Sequence, residues 1–447
     1  MRFWNSTRLH PGKGALALLV FVLTATALKA QNSPYSRYGI GDLVTGGNIV
    51  TRGMGGISQA YSDVQTLNFL NPASYSNLQL TTFDFGVESG YRRITDQSKQ
   101  TFSSGYGTLS YLQLGVPLKQ GGGWGLNMGL RPLSKVNYNI THSDSLASIG
   151  TPVSYQYQGS GGLYQAFVGT GYRIKGISFG VNAGYIFGAI QRSAGAQYPT
   201  DSTGVGPYPT LYTVKTAMKG FFWNAGVQAH VKLSKKIAVE LGATGSNQTT
   251  LNTSSQSLNQ TVYYNTDPTD PSAHNQDTAS FVSGQKGTLI YPKSFGIGFL
   301  VHNTGNWSLG ADYTASQWSS YRFNGQSDSV QNSWMLHLGG QVVPDITGQS
   351  TSYWSIVAYR VGFYTGQDYL RYGGQNLKEY AFTVGLGLPV RNFSRAYTGS
   401  NQYSLINTSF EFGRRGNAAN NPITENFVKI SVGFSLSDIW FIKQKYR

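Results

Sequence analysis

Cysteine is absent from the 447-residue sequence, and charged residues are scarce at 12 % of the chain. Without cysteine, the chain has no disulfide framework and no thiolate metal site. Ordinary soluble domains carry about twice this fraction of charged residues. After the N-terminus, no apolar run reaches the ~18 residues of a membrane-spanning helix, which excludes a polytopic helical membrane protein.

Aromatic residues and glycine are abundant, with 30 Tyr, 23 Phe, 8 Trp and 56 Gly. Disordered chains are poor in aromatic residues, so this composition excludes disorder. A chain rich in tyrosine and glycine and poor in charge indicates an all-β protein, and specifically a membrane barrel. The net charge of +15 is spread along the chain instead of forming a basic patch. Contact with outer-membrane lipid and lipopolysaccharide therefore explains it better than nucleic-acid binding.

Residues 1–30 have the pattern of a secretory signal peptide. Arg2, Arg8 and Lys13 form a basic region, and the apolar run ALALLVFVLTAT follows at 15–26. Small residues then offer cleavage after Ala27 or Ala30, and we predict Ala30. No cysteine follows the apolar run, so a lipoprotein is excluded. The expected location is the outer membrane of a Gram-negative cell.

From residue 79 onward the chain breaks into segments in which apolar and polar residues alternate. In the last segment, Val428, Ile430 and Val432 oppose Lys429 and Ser431. Such alternation is the signature of transmembrane β-strands. Fourteen segments begin near 79, 106, 123, 161, 176, 211, 236, 288, 306, 332, 353, 379, 403 and 426. We therefore predict a 14-stranded antiparallel transmembrane β-barrel over residues 79–447.

The connections between these segments alternate in length. Tight turns are predicted at 121–123, 174–176, 233–236 and 303–306. Longer polar stretches are predicted at 92–105, 142–160, 192–210, 250–287, 317–331, 365–378 and 413–425. In outer-membrane barrels the short turns are periplasmic, so the basic tail 443–447 is expected in the periplasm. A β-sandwich or propeller would also alternate, but neither requires this regularity of loops, and no fixed repeat supports a propeller.

Residues 31–78 do not alternate, and apolar residues recur through them, including Ile40, Ile49, Met54 and Leu67. A barrel of this size has a lumen wide enough to leak unless it is filled. We therefore predict that 31–78 is a plug, the alternative being an unattached periplasmic tail.

Three motifs carry a resemblance to a known family. These are RGMGGI (52–57), SQAYSD (58–63) and LNPA (70–73). Together they resemble the N-terminal hatch of the long-chain fatty acid transporter (FadL) family. The runs SPYSRYGIGD (33–42) and DIWFIKQKY (438–446) are similar to a Bacteroidota branch of that family. The runs GLNMGLRPLSKVNY (125–138) and YPKSFGIGF (291–299) extend the resemblance thinly across the barrel.

The resemblance implies a hatch motif and a route for ligands. The hatch residues would be Gly53, Met54, Gly55, Gly56, Asn71, Pro72 and Ala73. In this family hydrophobic ligands leave the lumen sideways at a kink in the third strand. Pro132 lies inside the predicted third strand, where it cannot donate to the ladder. Arg131, Pro132 and Leu133 are therefore the predicted lateral gate, unless the strand simply extends above the membrane there.

The polar face of the strands predicts a charged lumen. It carries Asp84, Glu88, Arg360, Glu411 and Lys429, together with Glu240 and Asp312. Strands 13, 14 and 1 become neighbours on closure, so Glu411, Lys429 and Asp84 are expected to form an ion-pair cluster. Arg37 and Arg52 are expected to meet remaining carboxylates. Such pairs are more often structural ties than transport sites.

Catalytic signals are weak. The six histidines show no metal-ligand spacing, and neither a nucleophile elbow nor a phosphate-binding loop occurs. Asp267, Asp270 and Asp277 are better read as part of a solvated loop than as a cation site. We predict no enzymatic activity, no cofactor and no metal.

Two functions remain. The first is passive transport of small hydrophobic compounds through a plugged lumen with a lateral exit. The alternative is a non-transporting barrel that acts as partner or scaffold in an outer-membrane assembly or secretion machine, as the FadL-like PorV shuttle of type IX secretion does.

Overall fold

The computed structural model describes residues 33–44, 46–119, 121–146, 151–199, 206–264, 272–303, 306–345, 352–372, 374–391, 403–416, 421 and 423–438. The predicted signal peptide and the tail 443–447 lie outside the described residues. Among the described residues, no helix is long and apolar enough to cross a membrane.

Fourteen long antiparallel strands form the wall of the molecule. They are β1 Thr81–Asp96, β2 Thr101–Pro117, β3 Trp124–Leu146, β4 Thr151–Ile174, β5 Ile177–Gln197, β6 Thr210–Lys232, β7 Ile237–Ser246 with Thr249–Tyr264, β8 Ala273–Tyr291 with Ser294–Asn303, β9 Trp307–Ser316, β10 Ser333–Val342, β11 Ala358–Tyr372, β12 Gln375–Arg391, β13 Tyr403–Arg415 and β14 Ile423–Asp438. Each pairs with the next, and β14 pairs with β1 from Asp438↔Thr81 to Ile423↔Asp96. The predicted closed 14-stranded barrel is confirmed.

The wall is apolar outside and polar inside. On β12, Phe382 is 60 % exposed, whereas its neighbour Thr383 is 1 % exposed. Successive side chains of a strand point to opposite faces, so one face of each strand looks into the lumen and the other outward. A band of outward aromatic and aliphatic side chains is what a transmembrane barrel presents to lipid.

Several predicted long loops are mostly paired strand, including 142–160 and 365–378. The same is true of two further stretches. The stretch 92–105 is paired strand apart from the turn at 97–100, and most of 250–287 forms a long hairpin of β7 and β8. Both stretches are polar, which suggested loops. Ladder hydrogen bonds join backbone groups, so a polar strand pairs as well above the membrane as an apolar one within it.

The short connections lie at one end of the barrel, here called the turn end, and the opposite end is the loop end. The connection 343–357 lies at the turn end although it is long, and it contains the 3₁₀ turn Tyr353–Ile356. The predicted alternation of short and long connections therefore fails at this position.

Residues 33–80, here called the N-terminal segment, form short elements only. These are the 3₁₀ turns Pro34–Arg37 and Pro72–Asn77, the two-residue strand Asp42–Leu43 and the helix α1, Ile49–Arg52. The Asn48 side chain caps α1 by accepting a hydrogen bond from the Thr51 amide at 2.9 Å. Asn71 caps the second turn in the same way through the Ala73 amide, with Pro72 at its first position.

Candidate functional site

Glycines on the inner face of the barrel wall touch the backbone of the N-terminal segment. A Cβ placed on Gly180 would lie 2.2 Å from the carbonyl carbon of Pro72, and one on Gly242 would lie 1.9 Å from the Gln59 oxygen. Glycine in a strand marks this kind of close backbone approach. Seven such positions, here called the glycine ring, lie on seven strands: Gly125, Gly171, Gly180, Gly242, Gly339, Gly362 and Gly385.

The glycine-rich part of the predicted hatch motif contacts β10 and β12. The Gly55 amide donates to Thr383 Oγ1 at 2.8 Å, and the Gly55 carbonyl lies 2.7 Å from His337 Nδ1. Gly55 and Gly56 have φ values of +69° and +89°, which side chains rarely tolerate. Gly53 packs against Gly385, and Met54 is fully buried in a small apolar cluster.

Two further contacts hold the rest of the motif. The Asp312 carboxylate on β9 accepts hydrogen bonds from the backbone amides of Ser58, at 2.5 Å, and Gln59, at 2.8 Å. The Asn71 side-chain amide donates to the Gln59 carbonyl at 2.6 Å, which joins the two halves of the segment. Pro72 and Ala73 are buried against Gly180 of β5.

Buried ion pairs line the lumen at the level of α1. Arg52 Nη1 lies 2.5 Å from Glu88 Oε2, and Lys429 Nζ lies 2.6 Å from Glu411 Oε1. Tyr106 donates to Glu88 at 2.8 Å. A buried carboxylate needs such partners, because an unpaired charge away from water is strongly destabilising.

Asp84 does not join the Glu411–Lys429 pair, so that part of the predicted cluster is wrong. Asp84 lies opposite Ser435 on β14, six residues from Lys429, a separation of about 20 Å along the strand. Its carboxylate accepts hydrogen bonds from Gln113 and Ser435, both at 3.1 Å. The sequence pattern correctly placed Asp84 on the lumen face of its strand. It could not show at which height along the barrel axis Asp84 lies relative to Lys429.

The two predicted arginines outside these pairs bind neutral groups. Arg360 donates through Nε to Gln341 at 2.7 Å and through Nη1 to Asn407 at 3.0 Å. The guanidinium of Arg37, expected to meet a carboxylate, lies 4.6 Å from the centre of the Tyr157 ring.

A second charged group, here called the seam cluster, was missed by the sequence analysis. It joins Asp42 of the N-terminal segment to Arg92 (β1), Asp368 (β11), Arg415 (β13) and Glu425 (β14). Arg415 contacts Asp42 at 2.8 Å and Asp368 at 2.7 Å, and Arg92 contacts Asp42 at 2.9 Å. The cluster was not predicted because several of its members lie in stretches that were predicted to be solvated loops. These members include Arg92, Arg415 and Glu425.

Burial of Asp42 works to raise its pKa. The guanidinium groups of Arg415 and Arg92 outweigh burial and hold the pKa of Asp42 below its usual value. Asp42 is therefore ionised near neutral pH and ties the segment to β1 through Arg92 and to β13 through Arg415.

The predicted gate residues lie where the wall is least paired. In the described chain, the β2–β3 ladder runs from Pro117↔Gly125 to Leu112↔Leu130 and ends, although both strands continue toward the loop end. Beyond it, Asp42 and Leu43 pair with the free edge of β3 at Lys135 and Ser134. The β3–β4 register shifts between Pro132 and Ser134. Proline lacks an amide proton, which explains a bulge at this position.

Arg131 and Leu133 face a lumen cavity of about 420 Å³. Arg131 donates to Gln165 at 2.7 Å and stacks on Phe69. The cavity wall contains aromatic side chains such as Phe69 and Phe222. It also contains charged side chains of the buried ion pairs and of the seam cluster. The cavity can enclose a small molecule, and charged side chains form part of its wall.

Solved barrels of known proteins share this fold. The structure of the Pseudomonas putida toluene transporter TodX matches with a TM-score of 0.52 and 16 % identity, covering 90 % of this chain and 100 % of that chain. The Ralstonia pickettii toluene transporter TbuX matches with a TM-score of 0.54 and 12 % identity, covering 88 % and 98 %. A Pseudomonas aeruginosa FadL homologue matches with a TM-score of 0.54 and 11 % identity, covering 90 % and 100 %. At these identities the likeness shows the fold, and it confirms the expected resemblance to the FadL family at that level.

No curated protein matches the chain in sequence. A family model described as BamG matches residues 14–447, which is nearly the whole chain. The chain belongs to the BamG family.

Proposed function

We propose that the protein is an outer-membrane β-barrel with a closed lumen that acts as a partner in an outer-membrane assembly machine. The observation that carries this proposal is the set of buried ties between the N-terminal segment and the wall. The glycine ring, the Arg52–Glu88 pair and the seam cluster hold the segment from several sides. Membership of the BamG family favours the same function.

The electrostatics of the lumen support a non-conducting barrel. A small apolar molecule in the lumen cavity would meet Arg52, Glu411 and Lys429, which line it and are buried. Removing one partner of a buried ion pair costs about 3–5 kcal/mol, so moving the segment aside for each molecule is expensive. The lumen therefore supports a fixed shape better than a channel. The outer surface and the turn-end connections then remain as contact surfaces for other proteins.

The test is purification of the tagged full-length chain from its own membranes in mild detergent. An unrelated barrel with the same tag, expressed in the same cells, is the control. We expect other outer-membrane assembly proteins to co-purify with the chain and not with the control. We also expect depletion of the chain to lower the amounts of other barrels in the membrane. Purification without such partners, together with unchanged amounts of other barrels, would contradict the proposal.

Passive transport of small hydrophobic compounds with a lateral exit is the second candidate function. It is favoured by the early end of the β2–β3 ladder and by the bulge at Pro132, both beside the lumen cavity. In this function the N-terminal segment would be a hatch, and cargo would leave between β2 and β3 into the bilayer.

Pro132→Val tests the lateral exit, because valine restores the missing amide donor and favours a regular strand. Pro389→Val on β12, where the ladder to β13 is continuous, is the matched control. A transporter should lose uptake of an apolar probe in Pro132→Val and keep it in the control. If uptake that depends on this protein is equal in both variants, the exit is not at Pro132.

A further inference from the structure

Two histidines and a glutamate meet at the turn end of the barrel. His230 lies on β6, Glu240 on β7 and His302 on β8, and the register places His230 directly opposite Glu240. Leu300 lies opposite Glu240 on the other side, so His302 is two residues further along β8 and on the same face. One nitrogen from each histidine and one carboxylate oxygen all lie within 4.8 Å of one another.

We propose that His230, Glu240 and His302 form a binding site for Zn²⁺. Two imidazoles and one carboxylate are a common zinc donor set, completed by water in the fourth position. Two ligand atoms about 2.0–2.1 Å from a tetrahedral zinc lie about 3.3–3.4 Å apart. His302 Nε2 is 3.5 Å from Glu240 Oε1, and His230 Nδ1 directly contacts the same oxygen. Small side-chain rotations would place all three atoms around one ion.

The surroundings suit a hydrated cation. The three side chains line a cavity of about 460 Å³ whose wall also carries Asp63, Gln228 and Gln341. This space accommodates a zinc-bound water, and the polar side chains can hydrogen-bond to it. Arg173, on the same wall, is the cationic group that works against binding.

The site would join three neighbouring strands at one end. β7 is interrupted between Ser246 and Thr249, and β8 between Tyr291 and Ser294. On the turn-end side of these breaks, the two strands pair over ten positions, from Ser294↔Ser246 to Asn303↔Ile237. This ladder lies next to the site. Zinc would add a cross-link at the free end of this ladder.

The expectation of no metal came from linear spacing, which does not reveal this arrangement. The three ligands come from three strands, and only the register brings them together. A usable sequence signal was present, because each residue lies a few positions from a predicted tight turn, at 233–236 or 303–306.

The experiment uses the full chain without a histidine tag, purified in detergent and stripped of metal with EDTA. Zn²⁺ is titrated by calorimetry, and Co²⁺ is added in a parallel sample as a spectroscopic substitute. We expect one zinc per chain and the intense visible absorption of tetrahedral cobalt. His230→Ala, Glu240→Gln and His302→Ala should each weaken binding by more than about 100-fold, beyond the loss typical of outer-shell changes.

His142→Ala is the matched control, since His142 is an exposed histidine on β3. It should bind zinc as the parent does. Circular dichroism of every variant checks that the barrel is folded, and Glu240→Gln keeps a side chain of the same shape. Absence of zinc binding by the folded parent would overturn the proposal, and so would equal binding by the parent and a folded His230→Ala/His302→Ala double variant. Neither result depends on whether the protein has the proposed assembly function.

Discussion

Each glycine of the glycine ring lets the backbone of the N-terminal segment approach the backbone of a barrel strand. At Gly362 the space a Cβ would fill is occupied by the Gly55 amide nitrogen, 2.0 Å away. Backbone cannot rotate aside as a flexible side chain can. Substitution at these positions should therefore weaken the attachment of the segment.

Gly362→Ala should destabilise the protein by about 1–3 kcal/mol, the usual cost of overpacking. It should also expose Arg52, now buried, to trypsin. Gly245→Ala is the matched control, because a Cβ at this strand glycine meets nothing within 4 Å. Thermal unfolding and trypsin cleavage of both variants in detergent give the measurement. Equal behaviour of the two variants would mean that the close contact at Gly362 carries no energy.

Arg52→Met should destabilise the protein by about 3–5 kcal/mol, because it leaves the Glu88 carboxylate buried without its cation. The double variant Arg52→Met/Glu88→Gln should recover most of this loss. The neutral amide carries no charge and still accepts the hydrogen bond from Tyr106. Denaturant titration of the parent and both variants provides the free energies. A double variant as unstable as the single one would show that the charge of Glu88 is not the cause.

The glycine ring could have been anticipated in part. Gly180 and Gly385 lie on the polar face of their predicted strands, and their phase marks them as inward. What lies against them could not be inferred, because the N-terminal segment is irregular and has no periodicity to fix its path. The same holds for Asp312. Its position on the lumen face was predicted correctly, but its partners, which are backbone amides of the N-terminal segment, could not be inferred.

At the level of elements, the alternation of apolar and polar residues located each of the fourteen long strands. The strand ends were misplaced because polar strand segments were predicted to be loops. Each predicted segment overlaps one observed strand. The hairpin of β7 and β8 extends through Ser, Thr and Gln residues that lack an apolar face, so nothing in the pattern distinguished it from a loop. The pattern of apolar and polar side chains indicates where a strand contacts lipid or protein. The length of a strand depends instead on how far its backbone pairs with its neighbours.

The N-terminal segment, as an element, is proposed to close the lumen. Deleting residues 34–75 removes the segment contacts with the glycine ring and with Glu88. The deleted barrel should show a large and steady conductance in planar bilayers, while the parent should be silent. Gly245→Ala should be as silent as the parent. If the deletion variant inserts into the bilayer and is also silent, something other than the segment closes the lumen.

For the whole molecule, the orientation in the membrane is the main prediction. We expect the turn end in the periplasm and the β7–β8 hairpin outside the cell. Because the chain has no cysteine, single cysteines can be introduced without background. Ser280→Cys, exposed on the hairpin, should react with an impermeant reagent on intact cells. Lys235→Cys, exposed in a turn, should react only after the outer membrane is permeabilised. The reverse labelling pattern would invert the topology.

The seam cluster fixes an order of events during assembly. In a chain that closes on itself, the pairing of the first strand with the last can form only after the whole barrel has been synthesised. Arg92 on β1 and Glu425 on β14 lie on the two sides of that junction, and Arg92 also binds Asp42 of the N-terminal segment. Once this junction has formed, the segment can no longer enter the lumen from the side between β1 and β14. We therefore expect the segment, which is synthesised first, to lie inside the unfinished wall before the barrel closes, and closure to fix its position.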